Sequence, residues 1–222
     1  MELTQLVTAN ETLPNLQVEL ELVEQMMRKQ VDTFHPDLKN ELDLILSSGG
    51  KRIRPRIVLL IGDMLHAERQ VLVTLATSFE LLHNATLIHD DLIDGSLLRR
   101  GVPTLNSKWS PATTVLTGDF VFASAVDMAS KTNSVEVIHR FGQCLMTIIN
   151  GELSQMLSDH CLVNSDEYFH RIYAKTASLF ETSTSLAAVI SNVEARQIEF
   201  LRRFGYGLGM AFQVVDDILD YT

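Results

Sequence analysis

Apolar residues recur at steps of three and four along most of this chain, and that spacing constrains its fold more than any other feature. One early segment shows the step at Leu16, Leu20, Val23 and Met27. Residues 75–82 and 135–157 repeat it. The spacing gives a helix one apolar face, whereas runs alternating with a period of two, which predict strands, are missing. The sequence therefore predicts an all-α fold.

Residues 179–190 and 201–219 are apolar on more than one face, and this predicts two buried central helices. Proline and glycine separate the helical segments. We expect His35-Pro36 to divide the first two helices, residues 101–103 to end a long helix, and Ser110-Pro111 to begin another. The connections are short and no low-complexity tract occurs. The sequence predicts a single domain over residues 1–222.

The charge balance and the cysteine content exclude several classes of protein. The net charge is -10 at pH 7, which disfavours nucleic acid as a partner because phosphate binding needs a basic surface. The two cysteines lie in no metal-binding pattern, and their sparse use suits a reducing compartment. No apolar run approaches the ~20 residues of a transmembrane segment, and the N-terminus lacks the pattern of a signal peptide. We expect a cytoplasmic protein.

A DDxxD motif occurs twice, at residues 90–94 and 216–220, each time after an apolar helical stretch. Residues four apart share a helix face, so Asp90 pairs with Asp94 and Asp216 with Asp220. Like charges at this spacing repel unless a cation lies between them, and hard oxygen ligands favour Mg²⁺. The alternative, a solvated acidic helix end, explains one copy better than two.

Basic residues complement the acidic motifs. Residues 51–56 hold four cations after a diglycine, and Arg99 and Arg100 follow the first motif. His83 lies two helical turns before Asp90. Arginine matches the oxygens of a diphosphate and lysine adds a point charge. The pattern indicates anion sites beside metal sites, with surface salt bridges as the alternative for the Lys51 cluster.

Two apparent phosphate-binding motifs do not meet their structural requirements. The run from Gly49 to Lys51 lacks the spacing of a P-loop. The repeat of Gly205, Gly207 and Gly209 has no strand before it, which a dinucleotide fold requires. We expect these three glycines to allow close helix packing.

Several segments together resemble the trans-isoprenyl diphosphate synthase (polyprenyl synthetase) family. They stand in the order and spacing of that family, as GGKRIRP at 49–55, LLHNATLIHDDLIDGSLLRRG at 81–101, GEL at 151–153, KTASLF at 175–180 and GMAFQVVDDILDYT at 209–222. The resemblance implies an isoprenoid-synthase-type helical bundle around a central cavity. It also implies a Mg²⁺-dependent transferase that joins isopentenyl diphosphate to an allylic diphosphate, 1'-4 and in trans.

The resemblance implies roles for individual residues. Magnesium on the allylic diphosphate would be held by Asp90, Asp94, Asp216, Asp217 and Asp220, with Asp91 as a ligand or an outer-shell orienter. The allylic diphosphate would be bound with the help of Arg99, Lys175, Thr176 and Gln213. The isopentenyl diphosphate would be bound by Lys51, Arg54, His83 and Arg100, with Phe212 near its hydrocarbon. The catalytic set would comprise Asp90, Asp94, Arg99, Lys175 and Asp216.

The small residues Ala85 and Thr86, one turn before Asp90, bear on product length by the same resemblance. Bulky aromatics there form the floor of short-chain synthases in the family, so we expect a medium- or long-chain product. The alternative is that both residues only pack. The allylic primer would be geranyl, farnesyl or geranylgeranyl diphosphate, and the family implies a homodimer.

Two other functions stay open at this point. A class I terpene cyclase shares the fold but normally lacks the Lys51 cluster and has a different second metal motif. A non-catalytic subunit of a heteromeric synthase tends to lose the acidic motifs, and both are intact here. The family also continues by about a hundred residues beyond its second motif, so we expect the domain to lack its C-terminal portion.

Overall fold

The protein is described by a computed structural model that covers residues 9–47, 50–157 and 165–219. Helices dominate these residues, and the all-α prediction is confirmed. The contacts divide the chain into two compact units. The first unit comprises Met1–Leu60 and Arg69–Lys131, and the second comprises Ile61–Glu68 and Thr132–Thr222. A single domain over residues 1–222 stays a prediction.

The elements of the first unit are, in chain order, α1 (Ala9–Val31), α2 (Pro36–Ser47), the start of α3 (Ile53–Met64), α4 (Arg69–Ile93), β1 (Leu98–Arg99), β2 (Val102–Pro103), α5 (Leu105–Lys108) and α6 (Pro111–Ser130). The break between α1 and α2 falls at His35-Pro36 as predicted. Helix α6 begins at Pro111, and the Ser110 hydroxyl accepts a hydrogen bond from the Thr113 amide at 3.2 Å. This serine cap satisfies one amide that the first turn leaves without a helical partner.

The second unit contains α7 (Val135–Leu157), α8 (Ser165–Ile172), a π-helical turn (Tyr173–Ala177), α9 (Ser178–Ile190) and α10 (Ala195–Leu219). Helix α8, the π-helical turn and α9 follow one another without a break. Helix α9 is buried along nearly its whole length, as its apolar faces predict. It is the core helix of this unit.

Helix α4 forms the core of the first unit. It packs against α1 and α6 and buries a continuous series of side chains from Leu72 to Leu82. Among the described residues, it alone is long and apolar enough to cross a membrane. However, 78% of its most apolar window is buried inside the protein. A buried core helix can be as long and as apolar as a helix that spans a membrane. The sequence had not led us to expect a helix of this kind.

A short hairpin corrects two of the expectations from sequence. Helix α4 ends at Ile93, not near residue 101, because Gly95 takes a left-handed conformation at φ 63°. Strands β1 and β2 then pair antiparallel. Arg100 and Gly101 between them both have positive φ, 52° and 78°, as a tight two-residue hairpin turn requires. Strands of two residues are too short to show a period of two.

Two of the three glycines in the 205–209 repeat allow close packing of α10 on α9, as predicted. A Cβ at Gly205 would collide with the Thr184 side chain, and a Cβ at Gly209 would lie 2.6 Å from the Cα of Ala177. Gly207 faces open space. The prediction that residues 201–219 are buried on several faces was wrong. The glycine face is buried, but large apolar side chains on other faces are exposed, among them Ile218 at 57% and Leu219 at 65%.

Adding one methyl group at two of these glycines should have opposite effects on stability. We expect Gly209→Ala to lower the free energy of unfolding by about 1–3 kcal/mol, because the backbone of Ala177 cannot yield easily. Gly207→Ala should raise it by up to about 1 kcal/mol, because alanine favours a helix and meets no neighbour here. Urea unfolding of both variants tests the packing, and equal shifts would contradict it.

Candidate active site

The first acidic motif closes helix α4. Asp90 is half-buried in the last turn, and Asp94 is exposed just beyond it. The Asp94 amide still donates to the Asp90 carbonyl at 2.8 Å, so both residues belong to one helical turn. The predicted pairing of these two carboxylates on one face therefore has the required backbone.

Helix α6 anchors this end of α4 through the ring of His89. The His89 Nε2 lies 3.2 Å from the Val115 carbonyl oxygen and 3.5 Å from the Asp119 carboxylate. Gly118 makes room for the ring, since any side chain there would collide with it. The residue before Asp90 is thus held in place by a neighbouring helix.

Asp91 pairs with Arg99 of the hairpin. Both Nε and Nη2 of Arg99 lie 2.8 Å from the Asp91 Oδ1. Asp91 is 7% exposed, and its burial raises the pKa of the carboxyl despite the opposing effect of the guanidinium. Asp94 adds a smaller effect in the same direction as burial. The arrangement uses Asp91 to orient Arg99.

Buried Arg52 anchors the basic loop of residues 50–52, which leads into α3. Its Nη1 donates to Glu80 of α4 at 2.7 Å, and its Nη2 donates to the Leu46 carbonyl at 2.6 Å. Glu24 of α1 lies 3.5 Å from its Nε. These partners hold Arg52 in a left-handed conformation, at φ 47°, that non-glycine residues seldom adopt. Lys51 before it is left exposed.

Gly50 brings the basic loop to the hairpin. A Cβ at this position would lie 2.8 Å from the Arg100 Nη1. Arg100 is also one of the residues with a left-handed backbone. Two segments that lie fifty positions apart in sequence therefore place their cations together.

His83 lies among these cations on α4. Its pKa is well below the usual value because the ring is desolvated and because Arg54, Arg100, Arg99 and Arg52 oppose a further positive charge, in that order of effect. His83 is therefore neutral at pH 7. A neutral ring can donate one hydrogen bond to an anion and accept another from a neighbour.

A small cavity of about 40 Å³ lies among Arg52, His83, Asp91, Arg99 and Arg100. It has room for a few water molecules, and the Arg100 side chain beside it is exposed. Five of the predicted residues belong to the first unit: Lys51, Arg54, His83, Arg99 and Arg100. Of these, His83, Arg99 and Arg100 line the cavity, and the charge of Arg54 acts on His83.

In the second unit, the π-helical turn carries Lys175 and Thr176. Lys175 is exposed, and its Nζ lies 3.2 Å from the Oε1 of Glu152 on α7. Gly151 beside Glu152 allows α7 to approach the turn, since a side chain there would collide with Ala174. Single π-helical turns are found frequently at functional sites. The GEL and KTASLF segments thus meet in the structure.

A chain of hydrogen bonds leads from the turn to the second acidic motif. The Thr176 hydroxyl donates to Gln213 Oε1 at 2.6 Å, and Gln213 Nε2 donates to Asp217 Oδ1 at 2.7 Å. The Tyr168 hydroxyl of α8 donates to Asp217 Oδ2 at 2.7 Å. Hydrogen bonding to Asp217 raises the pKa of Tyr168. Both oxygens of Asp217 are therefore held by neighbouring side chains.

The other predicted residues of the second motif differ in their surroundings. Asp216 is exposed on α10. Asp220 lies outside the described residues. The ring of Phe212 is half-buried and lies 5.4 Å from the ring of Phe180, centroid to centroid. Its proposed contact with a hydrocarbon stays a prediction.

The two residues expected to set product length lie on α4. Ala85 is fully buried, and Thr86 is half-buried with its hydroxyl donating to the His83 carbonyl at 2.8 Å. Neither lines the small cavity beside His83. Leu81 and Leu82 one turn earlier are also fully buried. The role of Ala85 and Thr86 in product length stays a prediction.

The carboxylates fit Mg²⁺ in type. Within the described ranges, no group of three or more Asp, Glu, His or Cys side chains could hold a metal on its own. Magnesium keeps several waters and is usually bound by one or two carboxylates with substrate phosphates. Asp90 and Asp94 in the first unit, and Asp216 in the second, are exposed or half-buried carboxylates of this kind. Carboxylates of this kind suit ions whose remaining ligands are water and diphosphate.

Sequence reasoning missed three residues that organise these places. Arg52 and Glu152 stand inside the quoted segments, where each is adjacent to a candidate or to a glycine. Tyr168 lies outside all of those segments. Its only signal is its position eight residues before Thr176, which has meaning only once the π-helical turn is known.

Comparison with known proteins finds relatives over most of this chain. A family described as Polyprenyl synthetase matches residues 35–222. A prenyl transferase of Cyanophora paradoxa is 36% identical over 209 residues, which cover 92% of this chain and 64% of that protein. Octaprenyl diphosphate synthase of Escherichia coli is 36% identical over 179 residues, which cover 80% of this chain and 55% of the relative. The chain thus spans about three fifths of the length of such relatives.

A solved structure supports the same assignment. It is polyprenyl synthase from Caulobacter crescentus, complexed with calcium and isoprenyl diphosphate. The TM-score is 0.90 at 32% identity, and the match covers 96% of this chain and 66% of that one. The predicted isoprenoid-synthase-type helical fold is confirmed. The chain has the paired acidic motifs and the arginines around His83, and the Polyprenyl synthetase family matches most of its length. It therefore belongs to the polyprenyl synthetase family.

Proposed function

We propose that the protein condenses isopentenyl diphosphate with an allylic diphosphate, 1'-4 and in trans, to give a medium- or long-chain polyprenyl diphosphate. The allylic substrate is geranyl, farnesyl or geranylgeranyl diphosphate. The reaction is the one that the family implies, and the octaprenyl synthase among the relatives favours the longer products. The proposal includes a cytoplasmic location.

The observation that carries the proposal is the arginine cluster around neutral His83. His83 lies in the positive field of three of these arginines, Arg54, Arg99 and Arg100. The net charge of the whole chain is -10. Cations close together repel one another, and a bound anion relieves that repulsion. A diphosphate supplies several charged oxygens, which guanidinium groups match in geometry. This supports the first unit as the place where isopentenyl diphosphate binds.

We assign magnesium to Asp90 and Asp94 of the first motif and to Asp216 of the second. Bound Mg²⁺ supplies Lewis-acid stabilisation of the charge that develops on a departing diphosphate. Arg99 in the first unit and Lys175 in the second each supply a positive charge that would bind a diphosphate. Asp91 orients Arg99 through their ion pair. The two hydrogen bonds that Asp217 accepts suit a similar role, in which this carboxylate orients neighbouring groups of the second motif.

The proposed reaction needs no protein base, because the released diphosphate accepts the proton. The C–O bond of the allylic diphosphate breaks, and both of its electrons go to the diphosphate oxygen. The double bond of isopentenyl diphosphate attacks the allylic cation and forms the new C–C bond. A proton then leaves the carbon next to the resulting cation and passes to the released diphosphate. Apolar surroundings protect the cation from water.

Assay of the protein with labelled isopentenyl diphosphate, farnesyl diphosphate and Mg²⁺, with and without a chelator, tests this function. Prenyl chains of graded length that disappear with the chelator are expected. A cyclic hydrocarbon formed without isopentenyl diphosphate would identify a terpene cyclase instead. A protein that makes no product but changes the products of a partner enzyme would be a regulatory subunit. The paired motifs disfavour both alternatives.

Product length has its own test in Ala85→Phe. A phenyl ring at this fully buried position would obstruct a growing chain, so we expect shorter products at an unchanged requirement for Mg²⁺. Chromatography of the dephosphorylated products measures the distribution. Circular dichroism must show that the variant is folded, since a larger side chain strains a packed core. Unchanged lengths in a folded variant would remove Ala85 from the argument.

We also propose that the protein is a homodimer. Helix α7 carries an exposed apolar stripe of Ile138, Met146, Ile149, Leu153 and Met156, between 36% and 59% exposed. Their spacing of three, four and eight puts them on one face. An apolar stripe of this kind favours association with a second copy. Sedimentation velocity tests the proposal, and a monomer at all concentrations would overturn it.

A further inference from the structure

We propose that Tyr168 is a positioning residue for the second acidic motif. It acts by fixing the Asp217 carboxylate, together with a hydrogen-bond chain from Thr176 through Gln213. The inference rests on the proposed function, because it assigns to this motif a share in binding a divalent cation. Tyr168 itself lies in none of the segments from which the function was argued.

The first step of the argument is that Asp217 has little freedom. Its Oδ2 accepts from the Tyr168 hydroxyl at 2.7 Å, and its Oδ1 accepts from Gln213 Nε2 at 2.7 Å. Two donors on opposite oxygens set the rotation of the carboxylate about its own axis. Each oxygen keeps a second lone pair, which can accept from a metal-bound water.

The second step concerns the orientation of Gln213. An amide side chain can present either its oxygen or its nitrogen to a neighbour. The Asp217 carboxylate only accepts, so it takes the amide nitrogen of Gln213, and the Thr176 hydroxyl donates to the remaining Gln213 Oε1 at 2.6 Å. Thr176 is 6% exposed, which limits the access of water to its hydroxyl. Tyr168 and Thr176 thus hold the same carboxylate from two sides.

The third step explains why both residues reach α10. They are eight positions apart, and a regular α-helix turns about 100° per residue, which would put them about 80° apart in direction. The π-helical turn at Tyr173–Ala177 absorbs one extra residue. The effective spacing is then seven, and the two side chains come within about 20° of one face. The turn therefore aligns Tyr168 with Thr176 toward Gln213 and Asp217.

Replacing Tyr168 by Phe removes the hydroxyl and keeps the ring that packs edge-on against Phe169. Loss of an outer-shell partner typically weakens a metal site 10- to 100-fold. We expect Tyr168→Phe to weaken Mn²⁺ binding to the protein by about 10- to 100-fold in the presence of inorganic diphosphate. Thr176→Val, which frees the Gln213 amide to rotate, should weaken it in the same direction.

The measurement is a Mn²⁺ titration followed by electron paramagnetic resonance, which does not depend on turnover. Tyr206→Phe is the matched control, since it removes the same hydroxyl from an exposed tyrosine on α10. In an Asp217→Ala background, Tyr168→Phe should have no further effect, because the residue acts through that carboxylate. An equal effect of Tyr168→Phe in both backgrounds would overturn the inference.

The outcomes separate this inference from the function on which it rests. If the wild-type protein binds no Mn²⁺ with diphosphate, the proposed metal-dependent function fails. If the wild-type protein binds Mn²⁺ and folded Tyr168→Phe binds it equally well, only the role of Tyr168 fails. Far-ultraviolet circular dichroism establishes that each variant is folded.

Discussion

Replacing Asp90 by Asn should reduce kcat/KM for the proposed condensation by about 10²- to 10³-fold, a loss like that from removing one group that stabilises a developing charge in an oxyanion hole. The amide keeps the shape of the side chain but removes the negative charge that holds a divalent cation. Asp90 lies half-buried in the last turn of α4, one turn from exposed Asp94. The helix itself should be unaffected, since the Asp94 amide bonds to the backbone of Asp90 and not to its side chain.

The control for this loss is Asp127→Asn. Asp127 is a half-exposed carboxylate that pairs with Lys131 on the surface of α6. Steady-state kinetics should show a change of less than about twofold for this variant, since exposed pairs contribute little. Equal activity of Asp90→Asn and the wild-type protein, at saturating Mg²⁺ and at low Mg²⁺ alike, would refute the assignment of the first motif.

Removing the carboxylate of Glu80 should destabilise the first unit by about 3–5 kcal/mol, the usual effect of leaving one charge of a buried pair without its partner. The side chains of Arg52 and Glu80 are only 7% and 5% exposed. Glu80→Ala would leave the guanidinium with the Leu46 carbonyl and a more distant Glu24 carboxylate. Chemical denaturation monitored by circular dichroism measures the loss.

Two comparisons make the Glu80 result specific. The double variant Arg52→Met and Glu80→Leu should recover a large part of the stability, because an apolar pair avoids the cost of buried charge. Asp32→Ala, which breaks the exposed pair between Lys39 and Asp32, should cost less than about 1 kcal/mol. A cost below about 1 kcal/mol for Glu80→Ala would mean that water reaches Arg52.

The Arg52 anchor also links stability to the anion site. Arg52 holds a left-handed backbone between exposed Lys51 and the start of α3. When its buried partners are lost, residues 50–52 regain freedom, and the start of α3, which carries Arg54, is held less firmly. The binding of isopentenyl diphosphate should therefore weaken in Glu80→Ala even where the protein remains folded.

Much of the site could be predicted from sequence because its elements are local. The spacing of apolar residues is enough to predict helices, and a DDxxD at the end of a helix carries its carboxylates on one face by helical geometry alone. The clustering of Lys51, Arg54 and Arg99 in a chain of negative net charge pointed to an anion. The structure brings Arg54 and Arg99 close to His83, and the binding of an anion there stays a prediction.

Other features of the structure depend on packing and could not be predicted correctly from the sequence. Which faces of an apolar helix are buried depends on its neighbours, so residues 201–219 were wrongly expected to be buried on several faces. Only Leu201, Gly205 and Gly209 of that helix are buried in the structure. The end of α4 at Ile93 depends on a left-handed Gly95 and a hairpin of two-residue strands, which have no periodicity to detect.

Helical periodicity and the chemistry of its motifs therefore follow from the chain itself, because both depend on residues within a few positions of one another. The orientation of the charged groups was decided by the tertiary structure. Asp91 turns toward Arg99, Arg52 turns inward to Glu80, and a single π-helical turn aligns Tyr168 with Thr176. Such choices depend on contacts outside the regular helical repeat, where burial makes each unpartnered polar group costly.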